Sequence, residues 1–251
     1  MSTLPDQPTH LRFRRYECKY LITEAQAARV VEYAKPYVEQ DPFAARSHDG
    51  RYQISSLYLD SDDLRLYHET LGGIKDRFKL RIRAYTDRFE DPVFFEVKKR
   101  NDRVILKERS RIRRAEIGPA IEGWSGSRER MDPAELASLE AFQSRCRRLG
   151  AKPRVLIRYS REAYIGSFDD GVRVTFDRFL RAKRQSQPGL FFGADGWRTV
   201  EAGKVVLELK FNNSCPAWIS TIVRQASLRR ISFSKYALSV TTLNDSHTLQ
   251  N

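Results

Sequence analysis

In the segment from Arg77 to Tyr85, Phe78, Leu80, Ile82 and Ala84 alternate with Arg77, Lys79, Arg81 and Arg83. Successive side chains of a strand point to opposite faces, so one face is apolar and the other is a row of cations. The same period of two recurs along the chain. Glu96 and Lys98 oppose Phe95 and Val97, Lys107, Arg109 and Arg111 oppose Val104 and Leu106, and Arg173, Thr175 and Asp177 oppose Val172, Val174 and Phe176. Lys204, Glu208 and Lys210 oppose Val205, Leu207, Leu209 and Phe211, and Arg15, Glu17 and Lys19 oppose Tyr16, Cys18 and Tyr20. In Pro153 to Ile165 the faces mix, because Tyr159 and Arg161 share one with Val155 and Ile157. With Arg12 to Ile22, Tyr52 to Asp60, Pro92 to Arg100, Arg103 to Arg113, Val172 to Leu180 and Lys204 to Phe211, these segments make eight predicted strands. Several connections are too short for a parallel crossover, so the sheet is expected to be largely antiparallel.

Four helices are predicted between them. Thr23 and Gln26 have capping-box spacing ahead of Ala27, Val30 and Val31. Ser61 is placed to cap a short helix ending at Gly72 and Gly73, Asp132 and Pro133 start a longer one that stops at Gly150, and Pro216 opens the fourth. The stretch 182–203, with Gly and Pro among Phe191, Phe192 and Trp197, reads as a long loop, either a lid or a hairpin excursion. Residues 1–9 and 243–251 read as polar tails, leaving one domain over 10–241.

Charge changes the picture. The chain of 251 residues carries 45 Lys and Arg against 32 Asp and Glu, a net +13. That field attracts polyanions. An ordinary solvated sheet face intersperses both signs, whereas neighbouring rows of long cations repel one another unless an anion is expected. A closed, eight-stranded antiparallel β-barrel of the α+β class, with its helices outside, places those rows in a water-filled lumen. Glu17, Glu96, Asp177 and Glu208 fall on the cationic faces, as counter-ions or as hard oxygen ligands for a divalent ion bridging phosphates.

Other chemistries find no support. GxxxxGK[ST] is absent, and His10, His48, His68 and His247 have no HExxH or similar ligand spacing. Cys18, Cys146 and Cys215 form no CxxC pair and suit a reducing cytoplasm, and no apolar run suggests a signal peptide or membrane insertion. Nucleic acid is permitted by charge but supported by no motif, and is not expected as the main ligand.

The motifs RYECKYLI at 15–22, SLYLDS at 56–61, KLRIRAY at 79–85, FEVKKR at 95–100, YSREAY at 159–164, RVTFD at 173–177, LELKF at 207–211 and FSKY at 233–236 together resemble the VTC domain, the polyphosphate polymerase module of the triphosphate tunnel metalloenzyme superfamily. The resemblance implies transfer of the terminal phosphate of ATP to inorganic polyphosphate, dependent on Mn²⁺ or Mg²⁺. It implies phosphate-handling roles for Lys19, Arg81, Arg83, Lys98, Lys107, Arg161, Arg173 and Lys235, with Tyr159 and Ser234 as hydrogen-bonding partners and Glu208 as metal ligand. Arg81, Arg83, Lys98, Arg173 and Glu208 are expected to be catalytic, and Glu96 joins Glu208 as a metal candidate. The superfamily's ExExK pattern is here Arg15, Glu17, Lys19, and Ser232 stands where polymerising members can carry lysine. A tunnel triphosphatase and a non-catalytic polyphosphate sensor are the alternative readings.

Overall fold

The computed structural model describes residues 15–101, 104–123 and 131–248. Eight long strands form one hydrogen-bonded path in the order β1-β10-β8-β7-β3-β4-β5-β6, all antiparallel. They are β1 (Arg15–Ile22), β3 (Arg51–Asp60), β4 (Asp76–Ala84), β5 (Val93–Asn101), β6 (Val104–Ile112), β7 (Lys152–Gly166), β8 (Arg173–Arg184) and β10 (Val205–Asn212). Two short strands, β2 (Val38–Gln40) and β9 (Arg198–Thr199), pair with β7 and β8. Every predicted strand is present, although its outermost residues at 12–14 and 103 lie outside the described residues.

The closed barrel is not what forms. β1 and β6 end the path without pairing to each other among the described residues, so the sheet is curled and open along one seam. Across the concave face, Lys98 Nζ on β5 lies 3.2 Å from Glu17 Oε2 on β1. Alternation fixes which face each strand turns inward, but backbone pairing across a seam depends on curvature, which no single segment encodes.

Helices cover most of the convex face. The α1 helix (Glu24–Ala34) carries the predicted Thr23–Gln26 capping box and packs with α6 (Ala217–Gln225) over the apolar face of β1, β8 and β10. The α5 helix (Pro133–Leu149), capped by Asp132 and stopped at Gly150 in the left-handed region, joins α4 (Ile117–Glu122) over Leu80, Ile82, Phe95 and Val97. The 182–203 stretch is the hairpin excursion: β8 runs on to Arg184, β9 returns, and Leu190 is buried against the α5 side with Phe192 and Trp197 beside it. Two further helices are short, α2 (Pro42–Ala45) and α3 (Arg65–Leu71). Ser61 caps α3 from three residues before the N-cap position, its Oγ accepting the N–H of Arg65 at 3.0 Å. Leu64 occupies that position with φ 55°, and buried Asp60 accepts the N–H groups of Leu66 at 2.9 Å and Tyr67 at 3.0 Å.

The expectation that all helices lie outside fails at α7 (Lys235–Thr248), which also corrects the reading of 243–248 as a tail. This helix packs inside the curl, its Tyr236, Ala237, Val240 and Leu243 against Ile54, Tyr58, Val155, Ile157 and Tyr159. Asp60 anchors it by accepting the Tyr236 hydroxyl at 2.6 Å. The mixed face of β7 is thereby explained: Val155 and Ile157 lie under α7, Tyr159 packs at its first turn and also lines the cavity, and Arg161 lies beyond its end. Strand β8 matches this change by a register shift opposite Arg158 and Ser160, with Phe179 at φ 53°. The extra residue moves the inward set from Thr175 and Asp177 to Leu180 and Ala182.

Candidate functional site: a cationic cavity at the start of a buried helix

Where α7 begins, the concave face encloses a cavity of about 110 Å³ lined by eight lysines and arginines and two carboxylates. The cations are Lys19, Lys79, Arg81, Arg83, Lys98, Arg161, Lys210 and Lys235, and the carboxylates are Glu17 and Glu208. It continues past Lys79 and Lys98 into a wider cavity of about 450 Å³, where Arg77, Arg100, Arg230 and Ser232 join the wall.

Six of these eight cations are held by carboxylates. Lys235 Nζ lies 2.6 Å from Asp177 Oδ2 and 3.1 Å from Glu208 Oε1, Lys210 Nζ lies 2.7 Å from Glu208 Oε2, and Arg161 Nε lies 2.6 Å from Asp177 Oδ1. Burial acts to raise the Glu208 carboxyl, but Lys210, Lys235, Lys19 and Arg161 overcome it and hold the group well below the usual range. The same contest lowers Glu17, where Lys19 and Lys98 outweigh burial. On the far wall Glu96 is fully buried and pairs with Arg81 at 2.5 Å and Lys107 at 2.6 Å. Those cations, with Arg83, bring its carboxyl down to about 2 against the effect of burial.

Lys79 and Arg83 differ. Neither has a carboxylate within ion-pairing distance among the described residues. The buried Arg83 guanidinium donates to Ser56 Oγ and Tyr159 Oη, each at 3.2 Å. Lys79 Nζ donates to Ser234 Oγ at 3.0 Å, and burial, together with Lys19, Lys98, Arg77 and Arg81, pushes its pKa down to about 7. Lys98 falls to about 8, chiefly from burial, with Glu17 opposing. Desolvated cations without counter-ions raise the free energy of the empty cavity, and an anion relieves it. The first turn of α7 adds to the field, since Ser234 and Lys235 sit at the positive end of that helix.

Of the residues singled out by sequence, Lys19, Arg81, Arg83, Lys98, Tyr159, Arg161, Glu208, Ser234 and Lys235 line the cavity. Arg173 does not. It follows the inward set of β8 but lies at the strand's first residue, paired with Asp41 at 3.0 Å. Lys107 and Glu96 form the ion-pair layer behind Arg81 rather than the lining. Sequence reasoning passed over Lys79, Tyr58, Lys210 and Phe233 as site residues, and left Glu17 between counter-ion and metal ligand. Alternation had already placed Lys79, Glu17 and Lys210 on charged faces, whereas Phe233 precedes a helix that no pattern revealed.

Among the described residues, no three His, Cys, Asp or Glu side chains gather into a preformed cation site. Glu17 and Glu208 nevertheless reach one shared cation, since Lys19 Nζ lies 3.1 Å from Glu17 Oε1 and 3.6 Å from Glu208 Oε1. Two hard carboxylates facing a cavity fit a divalent ion whose remaining ligands are phosphate oxygens and water. Glu96, which lies behind Arg81 and does not line the cavity, does not fit that role.

The VTC domain family matches residues 14–244, and the chain belongs to it. Comparison with curated proteins gave no match. Among solved structures, the chain is similar to a candidate adenylate cyclase of Bacillus halodurans at 13% identity and a TM-score of 0.47, covering 88% of this chain and 95% of that one. It is also similar to the PH1819 protein of Pyrococcus horikoshii, at 14% identity and a TM-score of 0.46, covering 90% of this chain and 98% of that one. A candidate adenylyl cyclase of Hippeastrum, described as having a dominant triphosphatase activity, matches at 11% identity and a TM-score of 0.48, over 90% of this chain and 96% of that one. Among the described residues no helix is long and apolar enough to cross a membrane.

Proposed function

We propose that this protein is a metal-dependent polyphosphate polymerase, moving the γ-phosphate of ATP onto the end of an inorganic polyphosphate chain within the cationic cavity. The observation that carries the reading is the excess of cations in that cavity, with no carboxylate paired to Arg83 or Lys79 among the described residues. Membership of the VTC domain family points the same way.

In this reading Arg81 and Arg83 grip the triphosphate, with the hydroxyls of Tyr159 and Ser234 and the start of α7 completing the donor set. Lys79 and Lys98 hold the acceptor chain where the cavity widens. Glu208 and Glu17 would hold a divalent ion, which would supply charge neutralisation at the phosphate oxygens. The terminal oxygen of the acceptor forms a bond to the γ-phosphorus as the bond to the β,γ-bridging oxygen breaks, releasing ADP. That acceptor oxygen is already anionic, so no general base is required. A water nucleophile, by contrast, must lose a proton, to a base or through activation by a metal ion.

The test is incubation with ATP and Mn²⁺ or Mg²⁺, followed by electrophoretic sizing of the products. Phosphate chains that lengthen with time, matched by ADP, are expected. Orthophosphate alone under both metals makes the protein a hydrolase, and tight binding without turnover makes it a sensor.

A further inference from the structure

At the Arg83 end of the concave face the wall changes character. Beyond Arg83 on β4 and Glu96 on β5, the inward positions are Tyr85 and Phe94, and the inward residue near the start of β3 is Tyr52. Phe43 of α2 closes over them. Its ring lies 6.4 Å from that of Tyr85 at an interplanar angle of 24°, and 6.3 Å from that of Tyr52. Tyr85 meets Phe94 edge to face at 5.6 Å. Guanidinium groups lie among these rings: Arg109 is 3.5 Å from the centroid of Phe94 and 5.6 Å from that of Tyr85, and Arg46 is 5.6 Å from that of Phe43. Phe43 is nonetheless 61% exposed. A ring kept that open, although aromatic neighbours surround it, is poorly used as core.

We infer that this cluster is a nucleobase platform, with Phe43 and Tyr85 stacking on the base of a nucleotide whose phosphates lie in the cationic cavity. The inference rests on the oligophosphate reading of that cavity and adds to it what the phosphates are attached to. Arg83 links the two regions, since it lines the cavity and also stands 6.0 Å from the centroid of Tyr85. A bare phosphate chain has no planar, polarisable face for aromatic rings to meet, whereas a nucleotide has one, held a sugar's length from its phosphates. The opposite, wider cavity is walled by Arg77, Arg100 and Arg230, which suits a chain of phosphates alone. The two ends of the site thus take chemically different parts of the reactants.

The experiment compares two probes, inorganic tripolyphosphate and the β,γ-imido analogue of ATP, by calorimetric titration of the native protein, Phe43→Ala and Phe43→Trp. Phe43→Ala is expected to raise the Kd of the nucleotide relative to that of tripolyphosphate by about 5- to 30-fold, the loss of one stacking contact at a partly open site. Phe43→Trp, which keeps a ring face, is expected to restore the native ratio. Tripolyphosphate binding by Phe43→Ala also reports that the variant is folded. A ratio unchanged within twofold in Phe43→Ala, with tripolyphosphate still bound, overturns the platform and leaves the phosphate site standing. Native protein that binds neither probe overturns both.

Discussion

Arg83→Met separates what the cavity does for the ligand from what it does for the fold. Arg83 is 7% exposed, and its partners are two hydroxyl groups at 3.2 Å. Each such hydrogen bond contributes about 1 kcal/mol net. Their loss is partly offset by removing a desolvated guanidinium that Arg81 repels, although Glu96 nearby favours the charge. Methionine keeps most of the volume, so the ligand-free protein should change by no more than about 1 kcal/mol, or about 2–4 °C in Tm. The bound state loses a charge-assisted contact to phosphate of about 2 kcal/mol, roughly thirtyfold in Kd. At tripolyphosphate near 100 times the native Kd, ligand stabilisation falls from about 2.7 to about 0.9 kcal/mol. Scanning fluorimetry should therefore show a ligand-induced shift of about 5–11 °C in the native protein and about 2–4 °C in the variant. A variant that unfolds far below the native protein without ligand, yet keeps the full ligand shift, would refute the reasoning.

Two further outcomes follow from the charges around Arg83. Lys79 and Lys98, with pKa values lowered to about 7 and about 8, become fully protonated when an anion binds. Tripolyphosphate affinity should then fall between pH 6 and 9 with proton uptake near pH 8, measured by calorimetry in buffers of different ionisation enthalpy, and Lys79→Met should reduce that uptake. The sign for folding is opposite, because the unfolded chain binds more protons at Lys79 between about pH 7 and 10.5, so ligand-free stability gains from this group as pH rises through that window. Glu96→Gln leaves Arg81 and Lys107 without their carboxylate and should lower stability by about 3 kcal/mol in denaturant unfolding. In the native protein the Glu96 contribution is full above pH 4.5 and is lost as pH falls through about 2.

The strands and their inward faces were legible because a period of two survives in the sequence wherever one face is apolar. Depth along the site was not. Arg173 and Arg81 have the same parity on their strands, yet one meets Asp41 at a strand end and the other reaches the cavity. Alternation carries no signal for Asp41, which approaches from a different segment. The α7 helix escaped notice because its apolar residues, Tyr236, Ala237, Val240 and Leu243, are interspersed with Ser, Thr, Asn and Asp, which favour caps and turns. Missing it hid why β7 and β8 change from charged to apolar along one face, and that Ser234 and Lys235, expected at the site, reach it from the start of a helix behind Phe233. The register shift at Phe179 is equally silent, since that backbone conformation is imposed by packing on both sides of β8.

The measurement closest to the central claim is a competition, at matched salt, between tripolyphosphate and a short DNA duplex for the native protein and for Arg83→Met. The account predicts that tripolyphosphate binds more tightly at a single site, that duplex binding is weak and steeply salt-dependent, and that only the former is lost in the variant. Tighter binding of the duplex, with tripolyphosphate affinity indifferent to Arg83, would contradict it.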